Sequence, residues 1–402
     1  MKQKPYPAYK HSGVEWLGAV PEHWVVKSLR YLTNCLDGKR IPLNSEQRGE
    51  MQGDYPYWGA NGIVDYVNDY LFDDKVILLG EDGAPFLEKN KIVAFAVTGK
   101  IWVNNHAHIL KAIKCNNKFL AACLNITEYG AFIDGSTRDK LTQSDMNSIP
   151  IPVPSLPEQK AIAAFLDCET GRIDALVTKK ERLIELLWEK RSALISHAVT
   201  KGLDPSVKLK PSGVEWLGDV PEHWEVKKLK WFYNRINSGD GISPDSIEPE
   251  GTYPVYGGNG IMGYTENFNS DYDDIIIGRV GAKCGNVYHV PGRKWISDNA
   301  LNLSISNCDK YYLLYFLDAR NLNQLSNQNA QPLITGSMVG NQYVALPALP
   351  EQQAIAAFLD RETGNIDALM AKVEAAITKL KEYRTALISA AVTGKIDVRE
   401  AA

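Results

Sequence analysis

Apolar residues recur at seven-residue intervals in two segments of the chain, residues 155–200 and 349–393. The stripes they form consist of Ile173, Leu187 and Leu194, interrupted by Lys180, and of Ile366, Val373, Leu380 and Leu387. The intermediate positions are filled by Leu176, Leu183, Leu369 and Ile377. This is the a/d pattern of a coiled coil over about three heptads, the shortest run that supports the assignment. The pattern predicts two long helices that pack on each other. A surface amphipathic helix is the alternative for each.

The sequence also carries signals for where these helices begin and break. Ser155 and Glu158 have the S-x-x-E spacing of a capping box, and Pro157 falls in the first turn. The second segment has Ala348 at the capping position, which predicts a weaker cap. Gly171 and Gly364, each at the end of an Asp-x-Glu-Thr-Gly stretch, mark candidate interruptions.

The regions that precede the two helical segments combine short apolar runs with turn residues. Apolar runs bounded by turns are typical of buried strands, and they lie at residues 76–79 and 275–277. Tight turns follow these runs, at residues 80–83 and 278–281. Type I′ hairpins are predicted at Asn61-Gly62 and Asn259-Gly260. Short helices are predicted at residues 117–129 and 309–322.

Four sequence blocks occur twice, in the same order. The matching blocks are residues 12–18 and 212–218, 20–24 and 220–224, 55–63 and 253–261, and 156–167 and 349–360. The intervening regions, 64–155 and 262–348, match only in scattered glycines and apolar positions. A shared frame with two different contents indicates one task performed twice on two targets. Neutral drift after an old duplication is the alternative.

The repeat predicts the domain organisation. Joining the end of the chain to its start would recreate the central junction between the copies, so we expect a closed, pseudo-twofold arrangement in which the two helices are antiparallel. The fold class is therefore α+β, with two mixed α/β domains separated by two long antiparallel coiled-coil helices. The predicted boundaries are 1–154 for the first domain, 155–202 for the first helix, 203–348 for the second domain and 349–402 for the second helix.

Composition excludes several classes of protein. Of the 402 residues, 45% are hydrophobic and 23% charged, which argues against a mostly disordered chain, collagen or a bare coiled coil. No apolar run is long enough for a transmembrane helix, and no apolar core of a signal peptide follows the first residues. The six cysteines form no Cys-x-x-Cys pair, which fits reduced thiols in a cytoplasm. The net charge of −4 argues against a generic nucleic-acid binder, so DNA contacts would need local basic patches or a partner.

Enzyme motifs are absent from the sequence. There is no phosphate-binding P-loop, no G-x-G-x-x-G, no Asn-Pro-Pro-aromatic tetrapeptide of amino-methyltransferases, no nuclease motif in the usual order and no G-x-S-x-G elbow. His106 and His108 could place two metal ligands on one strand face. Their counterparts in the second copy are Asn299 and Leu301, and no acidic or cysteine partner is evident, so no metal site is expected.

Several loops carry polar and planar side chains beside glycines. Asn and Gln read adenine edges and Arg and Lys read guanine edges, so such loops are candidate DNA contacts. The candidates in the first domain are Trp58, Asn61, Asn104, Asn105, His106, Arg138 and Lys140. Those in the second are Tyr256, Asn259, Arg279, Lys283, Asn299 and Gln331. The alternative for each is structural, because Asn-Gly pairs commonly form turns and tryptophans commonly lie in cores.

The repeated blocks resemble a known family. Gly-Val-Glu-Trp-Leu-Gly-x-Val-Pro-Glu-His-Trp, the Leu-Pro-Glu-Gln entry into a helix and the Ala-Leu-Ile-Ser exit, all present twice, are similar to the specificity (S) subunit of type I restriction–modification systems. The resemblance covers the whole chain. It implies a host-defence protein with no catalysis of its own, whose two target-recognition domains each read one half of a split double-stranded DNA target.

The resemblance also implies partners. Two methyltransferase (M) subunits would dock on the shared frame and bring S-adenosylmethionine, and two restriction (R) subunits would bring ATP and Mg²⁺. No cofactor is expected on this chain itself, and no membrane contact. A two-lobed scaffold that holds proteins rather than DNA is the alternative. A self-sufficient nuclease or methyltransferase is disfavoured because its motifs are missing.

Overall fold

The chain forms two compact units. The computed structural model describes residues 4–88, 90–134, 139–281, 283–326 and 332–399. The first unit consists of residues 1–181 and 374–402, and the second of residues 182–373. Each unit therefore contains one copy of the repeated frame, one variable insert and a portion of each long helix. The four-part division of the sequence stays a prediction.

The elements of the first half of the chain alternate between strands and short helices before the first long helix. They are β1 (Tyr9–His11), β2 (Ala19–Pro21), β3 (Val25–Ser28), β4 (Thr33–Cys35), α1 (Ser45–Glu50), β5 (Gln52–Gly59), β6 (Gly62–Val67), β7 (Phe72–Gly80), β8 (Ala94–Val103), β9 (Ala107–Ala112), α2 (Asn117–Ile126), β10 (Ile133–Asp134), β11 (Lys140–Leu141), α3 (Gln143–Ser148), β12 (Pro150–Val153) and α4 (Leu156–Lys201).

The second half of the chain follows a similar order. Its elements are β13 (Leu209–Pro211), β14 (Asp219–Pro221), β15 (Glu225–Lys228), β16 (Tyr233–Ser238), β17 (Tyr253–Gly257), β18 (Gly260–Thr265), β19 (Asp274–Gly278), β20 (Val287–Val290), β21 (Trp295–Ile296), β22 (Ala300–Ile305), α5 (Lys310–Arg320), α6 (Gly336–Gly340), β23 (Tyr343–Leu346) and α7 (Leu349–Val392). No helix in the described parts of the chain is long and apolar enough to span a membrane.

The first unit is built on a six-stranded sheet of order β4-β9-β7-β8-β5-β6. Strand β7 is antiparallel to both β8 and β9, whereas β5 runs parallel to the end of β8. The apolar run predicted at residues 76–79 lies in β7 and is fully buried. The predicted short helix is present as α2, whose apolar residues pack in the same core as this sheet.

The second unit has the same topology divided into two sheets. They have the orders β16-β22-β19-β20 and β18-β17-β21. Strands β20 and β21 take the place of the single long strand β8, and β17 is parallel to β21 as β5 is to β8. The apolar run predicted at residues 275–277 lies in β19 and is fully buried. The predicted second short helix is present as α5.

A two-stranded antiparallel stem closes the segment that contains each variable insert. Strand β3 pairs with β12, so that Ser28 lies opposite Pro150. Strand β15 pairs with β23, so that Lys228 lies opposite Tyr343. Each stem encloses one of the matching blocks, 55–63 or 253–261, as well as the variable region that follows it. The stems hold the two ends of each such segment together.

Both long helices are present, and within each unit their portions are antiparallel. In the first unit Asp174 of α4 pairs with Arg384 of α7 at 2.9 Å, and Glu181 pairs with Lys381 at 3.6 Å. The residue number rises along α4 as it falls along α7, which defines the antiparallel direction. In the second unit Arg191 of α4 pairs with Asp367 of α7 at 3.1 Å.

The apolar stripe faces inward, but the predicted heptad frame is wrong. Stripe residues Ile173, Leu187, Ile366, Val373 and Leu387 are buried, and Leu194 and Leu380 are half-buried. The predicted intermediate residues Leu176, Leu183 and Leu369 are exposed, and only Ile377 is buried. The intermediate positions are instead filled by Val177, Ile184 and Met370. At 3.6 residues per turn, the residue four positions after the stripe lies nearer to it than the residue three positions after.

Two further expectations about these helices are wrong. Both helices run without a break through Gly171 and Gly364. A glycine inside a helix costs only about 1 kcal/mol, and helices of this length with a packed face tolerate that cost. The capping box is also absent among the described hydrogen bonds, because the Glu158 side chain bonds to residues near the start of the chain instead.

The two hairpins are present, but their turns are not of type I′. Gly59 lies opposite Gly62, and Gly257 lies opposite Gly260. Each turn therefore consists of the two residues between these glycines, and it ends at the asparagine rather than at the glycine of the Asn-Gly pair. The positive φ angle is on Gly62 (129°) and Gly260 (93°), and not on the asparagines. A register shift follows in each hairpin, as in a turn closed by a glycine bulge. A type I′ turn requires a positive φ angle at both the asparagine and the glycine. In this structure only the glycine of each pair adopts one.

Candidate nucleic-acid interface

Four loops meet at the carboxyl end of β7 in the first unit. They are the β5–β6 turn, the segment 81–83, the β8–β9 turn and the segment 139–141. The Glu81 amide donates to the His106 carbonyl at 2.8 Å, and the Leu141 amide donates to the Glu81 carbonyl at 2.8 Å. Asn61 Nδ2 donates to the Gly83 carbonyl at 3.1 Å. The sheet thus brings together loops that are distant in sequence.

Three of these loops, all except the segment 139–141, line an open cleft of about 450 Å³. Four of the predicted contact residues line it, namely Asn61, Asn104, Asn105 and His106. Asn61 and Asn105 are exposed, whereas Asn104 is half-buried and its Oδ1 accepts a hydrogen bond from the His106 amide at 2.8 Å. His106 Nδ1 lies 3.4 Å from the Asp82 carboxylate. The cleft therefore presents side-chain amides, the groups that read adenine edges, beside an acidic residue.

Two other predicted residues of the first domain lie differently. Lys140 is exposed at the edge of this loop cluster, with Nζ 3.8 Å from Glu81 Oε1. Trp58 does not line the cleft. It is half-buried, and its ring lies 5.4 Å from that of Phe95 in an apolar cluster. Arg138 lies outside the described residues.

The second unit repeats this meeting of loops. The Arg279 amide donates to the Asn299 carbonyl at 2.9 Å, and the Ile334 amide donates to the Arg279 carbonyl at 2.9 Å. These two bonds are the counterparts of the bonds made by Glu81. Gly258 is packed so closely that a Cβ there would lie 2.5 Å from the Val280 carbonyl oxygen. The same frame thus positions a second set of loops.

The predicted residues of the second domain are distributed over these loops. Asn259, Lys283 and Asn299 are exposed. Arg279 is half-buried, and its Nη1 donates to the Asp298 carbonyl at 2.9 Å. Tyr256 packs instead against an apolar cluster of β19 and its neighbours, and burial raises the pKa of its hydroxyl. Gln331 lies outside the described residues.

The two sites differ in charge at equivalent positions. Glu81 in the first unit is replaced by Arg279 in the second, as the matching amide bonds show. The first site adds Asp82 and the second adds Lys283. A cationic side chain suits guanine edges and phosphates, whereas amides suit adenine edges. The two sites therefore share their backbone connections but differ in the charge of the side chain at this position.

A buried ionic cluster behind the first cleft is the main feature that sequence reasoning missed. His108 Nδ1 lies 2.5 Å from Asp37 Oδ2, so the histidine does have an acidic partner. Arg40 and Glu81 complete the cluster through a 2.6 Å hydrogen bond. Burial would raise the pKa of Asp37, but hydrogen bonds from His108 and the Ile109 amide, and the charge of Arg40, hold it below its ordinary value. Asp37 and Arg40 lie in a loop with no periodicity, so no sequence signal points to them.

The cluster is not suited to a metal ion. Cys35, Asp37 and His108 offer ligand atoms within 4.8 Å of one another. However, both ring nitrogens of His108 are engaged, one by Asp37 and the other by the Leu141 carbonyl at 2.9 Å. Burial raises the pKa of the Cys35 thiol to about 11, which disfavours the thiolate that binds metals.

The Pro-Glu-Gln motif at the start of each long helix joins the frame to its insert. Gln159 Oε1 accepts from the Asn116 amide at 2.8 Å, at the start of α2. Gln352 Oε1 accepts from the Asp309 amide at 2.8 Å, at the start of α5. The preceding glutamate in each copy accepts a hydrogen bond from a buried tryptophan indole at 3.1 Å. The glutamate of each motif thus bonds within the frame, and the glutamine bonds the frame to the insert.

Comparison with known proteins identifies the family to which the chain belongs. The family described as type I restriction modification DNA specificity domain matches the chain twice, at residues 21–186 and 221–379. The two matches together cover most of the chain and include both inserts. The chain belongs to this family.

Individual relatives support the same assignment. A Haemophilus influenzae protein assigned as a type I restriction enzyme specificity subunit is 38% identical over 161 residues, which cover 40% of this chain and 38% of that protein. The chain thus matches less than half the length of that relative. The MjaVIII specificity subunit of Methanocaldococcus jannaschii is 24% identical over 425 residues, which cover 94% of both chains.

Solved structures share the fold. A chain from a structural study of the assembly and conformational transition of the type I R-M system superimposes with a TM-score of 0.69 at 16% identity, covering 93% of this chain and 98% of that one. The HsdS subunit of Thermoanaerobacter tengcongensis gives a TM-score of 0.50 at 15% identity, covering 96% and 100%.

Proposed function

We propose that this chain is the DNA-specificity subunit of a type I restriction–modification complex, in which each unit reads one half of a split target in double-stranded DNA. The observation that carries the proposal is the repeated loop cluster. Three of the four loops are joined by the same backbone hydrogen bonds in both units, but they carry different side chains. A protein that reads two unlike DNA sequences with one repeated frame needs loops in the same positions that carry different side chains.

The chain acts by recognition and leaves the chemistry to its partners. Family membership and the absence of catalytic motifs in the sequence both support this. Two methyltransferase subunits would supply S-adenosylmethionine and methylate an adenine in each half-target. Two restriction subunits would supply ATP- and Mg²⁺-dependent cleavage. None of the relatives supports the alternative of a two-lobed protein scaffold.

The charge of the chain fits a subunit that binds DNA inside a complex. Non-specific affinity for DNA comes from neutralised phosphates, and a net charge of −4 supplies little of it. We therefore expect the isolated chain to bind DNA weakly and the complex with its methyltransferase subunits to bind tightly. Base contacts from the clefts would then select the site.

Methylation-detecting sequencing of the host genome, with and without this gene, tests the proposal. Loss of adenine methylation at one split, two-part motif when the gene is deleted, and its return when the gene is restored, is the expected result. An unchanged methylome in cells that express the partner subunits would contradict the proposal and favour the scaffold.

A further inference from the structure

The first unit contains a pocket where the short helix α2 meets the two long helices. Its volume is about 310 Å³, and its walls come from α2, α4, α7 and the residues at and before the start of β8. All of the lining residues belong to the first unit. Pockets that bind small molecules have volumes of about 300–1,000 Å³, so this one is large enough for a small ligand.

The lining of the pocket combines apolar side chains with a few polar ones. Ala122 and Ile126 of α2 and Ile388 of α7 belong to the apolar part. Asp167 and Thr170 of α4 belong to the polar part. An apolar surface with a small number of polar groups is typical of sites that bind and orient small organic molecules.

The second unit has a tyrosine at the position equivalent to Ala122. Asn116 caps α2 and Asp309 caps α5 in the same way, since each side chain accepts a hydrogen bond from the amide three residues later. Ala122 and Tyr315 each lie six residues after the capping residue. The two positions therefore correspond, and the side chain is a methyl group in one unit and a phenol in the other.

The contacts of Tyr315 show what fits such a space. Its hydroxyl donates to Asp360 Oδ1 at 2.7 Å and lies 3.2 Å from Thr363 Oγ1. Asp360 and Thr363 are the counterparts, in the repeated sequence, of Asp167 and Thr170, which line the pocket of the first unit. A ring that joins the equivalent position of α2 to these two side chains has to cross the pocket. The pocket is thus the space of a phenol ring that the first unit lacks.

The charges around the pocket favour a neutral ligand. Each cationic residue that the structure describes in the lining has a carboxylate that opposes it. The pairs are Lys118 with Asp167, Arg384 with Asp174, and Lys91 with Glu128. Lys118 bonds to Asp167 Oδ2, whereas the oxygen that accepts from Tyr315 in the second unit is Oδ1. Burial raises the pKa of the Tyr315 hydroxyl to about 12, so the phenol there is neutral as well.

A free molecule fits the pocket better than a side chain of a partner subunit does. A partner that docks on both units in the same way would meet Tyr315 in the second unit, where the equivalent space is already filled. A ligand that binds independently of the partners needs only the first unit.

We propose that the first unit carries a binding site for a small neutral aromatic alcohol, whose ring lies between α2 and the long helices and whose hydroxyl donates to Asp167 Oδ1. The site goes beyond DNA recognition and does not depend on the proposed function. Because the ligand contacts both the insert and the frame of the folded unit, its binding stabilises that unit.

Titration of the full chain with p-cresol, which is the tyrosine side chain as a free molecule, tests the proposal. Ile126 and Ile388 line the pocket, so the methyl resonances of an isoleucine-labelled chain report a ring that binds there. We expect saturable shifts of both resonances with a Kd of about 1 mM or tighter. Toluene has the same ring without the hydroxyl and should bind about threefold more weakly or worse, because it cannot donate to Asp167.

Exchange of the residues at the two equivalent positions provides matched variants. Ala122→Tyr supplies the missing ring and should abolish p-cresol binding. Tyr315→Ala opens the equivalent space in the second unit and should add a second p-cresol molecule per chain. In the double variant the shift should move from Ile388 to its repeat counterpart Ile195. Ala164→Tyr, at an exposed position of α4, is the control and should bind p-cresol as the native chain does.

Each result has a defined meaning. The inference would be overturned by an absence of saturable shifts at Ile126 and Ile388, or by p-cresol binding that survives Ala122→Tyr unchanged. Tyr315→Ala only removes atoms, so failure to gain a second molecule would contradict the equivalence without the added bulk of the other variant. Equal affinity for toluene would overturn the role of Asp167.

The same titration in the presence of the methyltransferase subunits separates a free ligand from a partner's side chain. Retained binding of p-cresol supports the free ligand. Loss of binding would mean that a partner covers the pocket, and it would overturn the proposal. Neither result affects the proposed reading of DNA, which methylation of the split motif tests separately.

Discussion

Glu158 shows at the scale of one residue how the frame is held together. Its Oε1 accepts hydrogen bonds from the Tyr6 hydroxyl at 2.7 Å and the Trp24 indole at 3.1 Å, and His23 Nε2 lies 3.0 Å from its Oε2. The Glu158 carboxylate is 5% exposed. The Tyr6 hydroxyl is buried next to it, and this burial raises the pKa of the hydroxyl. Its counterpart Glu351 bonds to a tryptophan and a histidine in the same way but is 34% exposed.

We therefore expect Glu158→Gln to destabilise the first unit by about 2 kcal/mol, because a buried amide cannot accept from all three donors. For a unit of this size that corresponds to a fall of about 4–8 °C in the melting temperature. Glu351→Gln is the matched control and should lower the melting temperature by less than half as much, because water can replace the lost bonds. Calorimetry measures both values, and equal shifts would contradict the difference in burial.

Gly258 offers a residue-scale test of the loop cluster of the second unit. A Cβ at this position would lie 2.5 Å from the Val280 carbonyl oxygen and 3.2 Å from that of Asn299. The equivalent position in the first unit is Ala60, which carries a Cβ and is buried. The glycine therefore lets the turn approach the neighbouring loops more closely.

Gly258→Ala is expected to push these loops apart and to weaken recognition of the second half-target about tenfold or more, without affecting the first. Ala60→Gly in the first cleft is the control and should have little effect on either half. Dissociation constants for duplexes scrambled in one half give the result. Equal loss at both halves would mean that the variant disturbs the whole chain rather than one cleft.

At the scale of elements, the sequence predicted those features that depend on periodicity and on apolar runs. Both long helices, both short helices and both central strands lie where the pattern indicated. The predicted heptad frame was wrong because the residues three and four positions after the stripe are both apolar. Only packing against the other helix determines which of the two is buried. The helix break predicted at Gly171 and the capping box predicted at Glu158 were wrong for a related reason. At both positions, contacts with distant parts of the chain outweigh the local conformational preference.

The corrected frame makes a sharp prediction for α4. Leu187 is 8% exposed and packs against Ile366 and Met370 of α7, whereas Leu183, one turn earlier, is 39% exposed. Leu187→Asp should cost about 3 kcal/mol or more, because it buries a charge in an apolar contact. It should also blur the spacing between the two half-targets.

Leu183→Asp should change the free energy of unfolding by less than about 0.5 kcal/mol, as expected for an exposed site. Thermal denaturation of the two variants provides the comparison. Comparable destabilisation by both would contradict the corrected frame and restore the one predicted from the sequence.

At the scale of the molecule, one frame with two inserts accounts for the repeat. The two-stranded stems at Ser28–Pro150 and Lys228–Tyr343 hold together the ends of the segment that contains each insert. Sequence reasoning found the polar loops but could not tell which side chains face the clefts. Trp58 and Tyr256 belong to apolar clusters instead, and the ionic cluster around Asp37 was not found at all, because these relations depend on strand register rather than on local pattern.

The central claim is that each loop cluster reads its own half of the target, and methylome sequencing of two matched variants tests it most directly. One variant is Asn61→Ala/Asn105→Ala in the loop cluster of the first unit, and the other is Asn259→Ala/Asn299→Ala in that of the second unit. Our account predicts that each variant relaxes the methylated motif in one half only, and that the two variants affect opposite halves. A folded variant that relaxes both halves, or a pair that relaxes the same half, would contradict it.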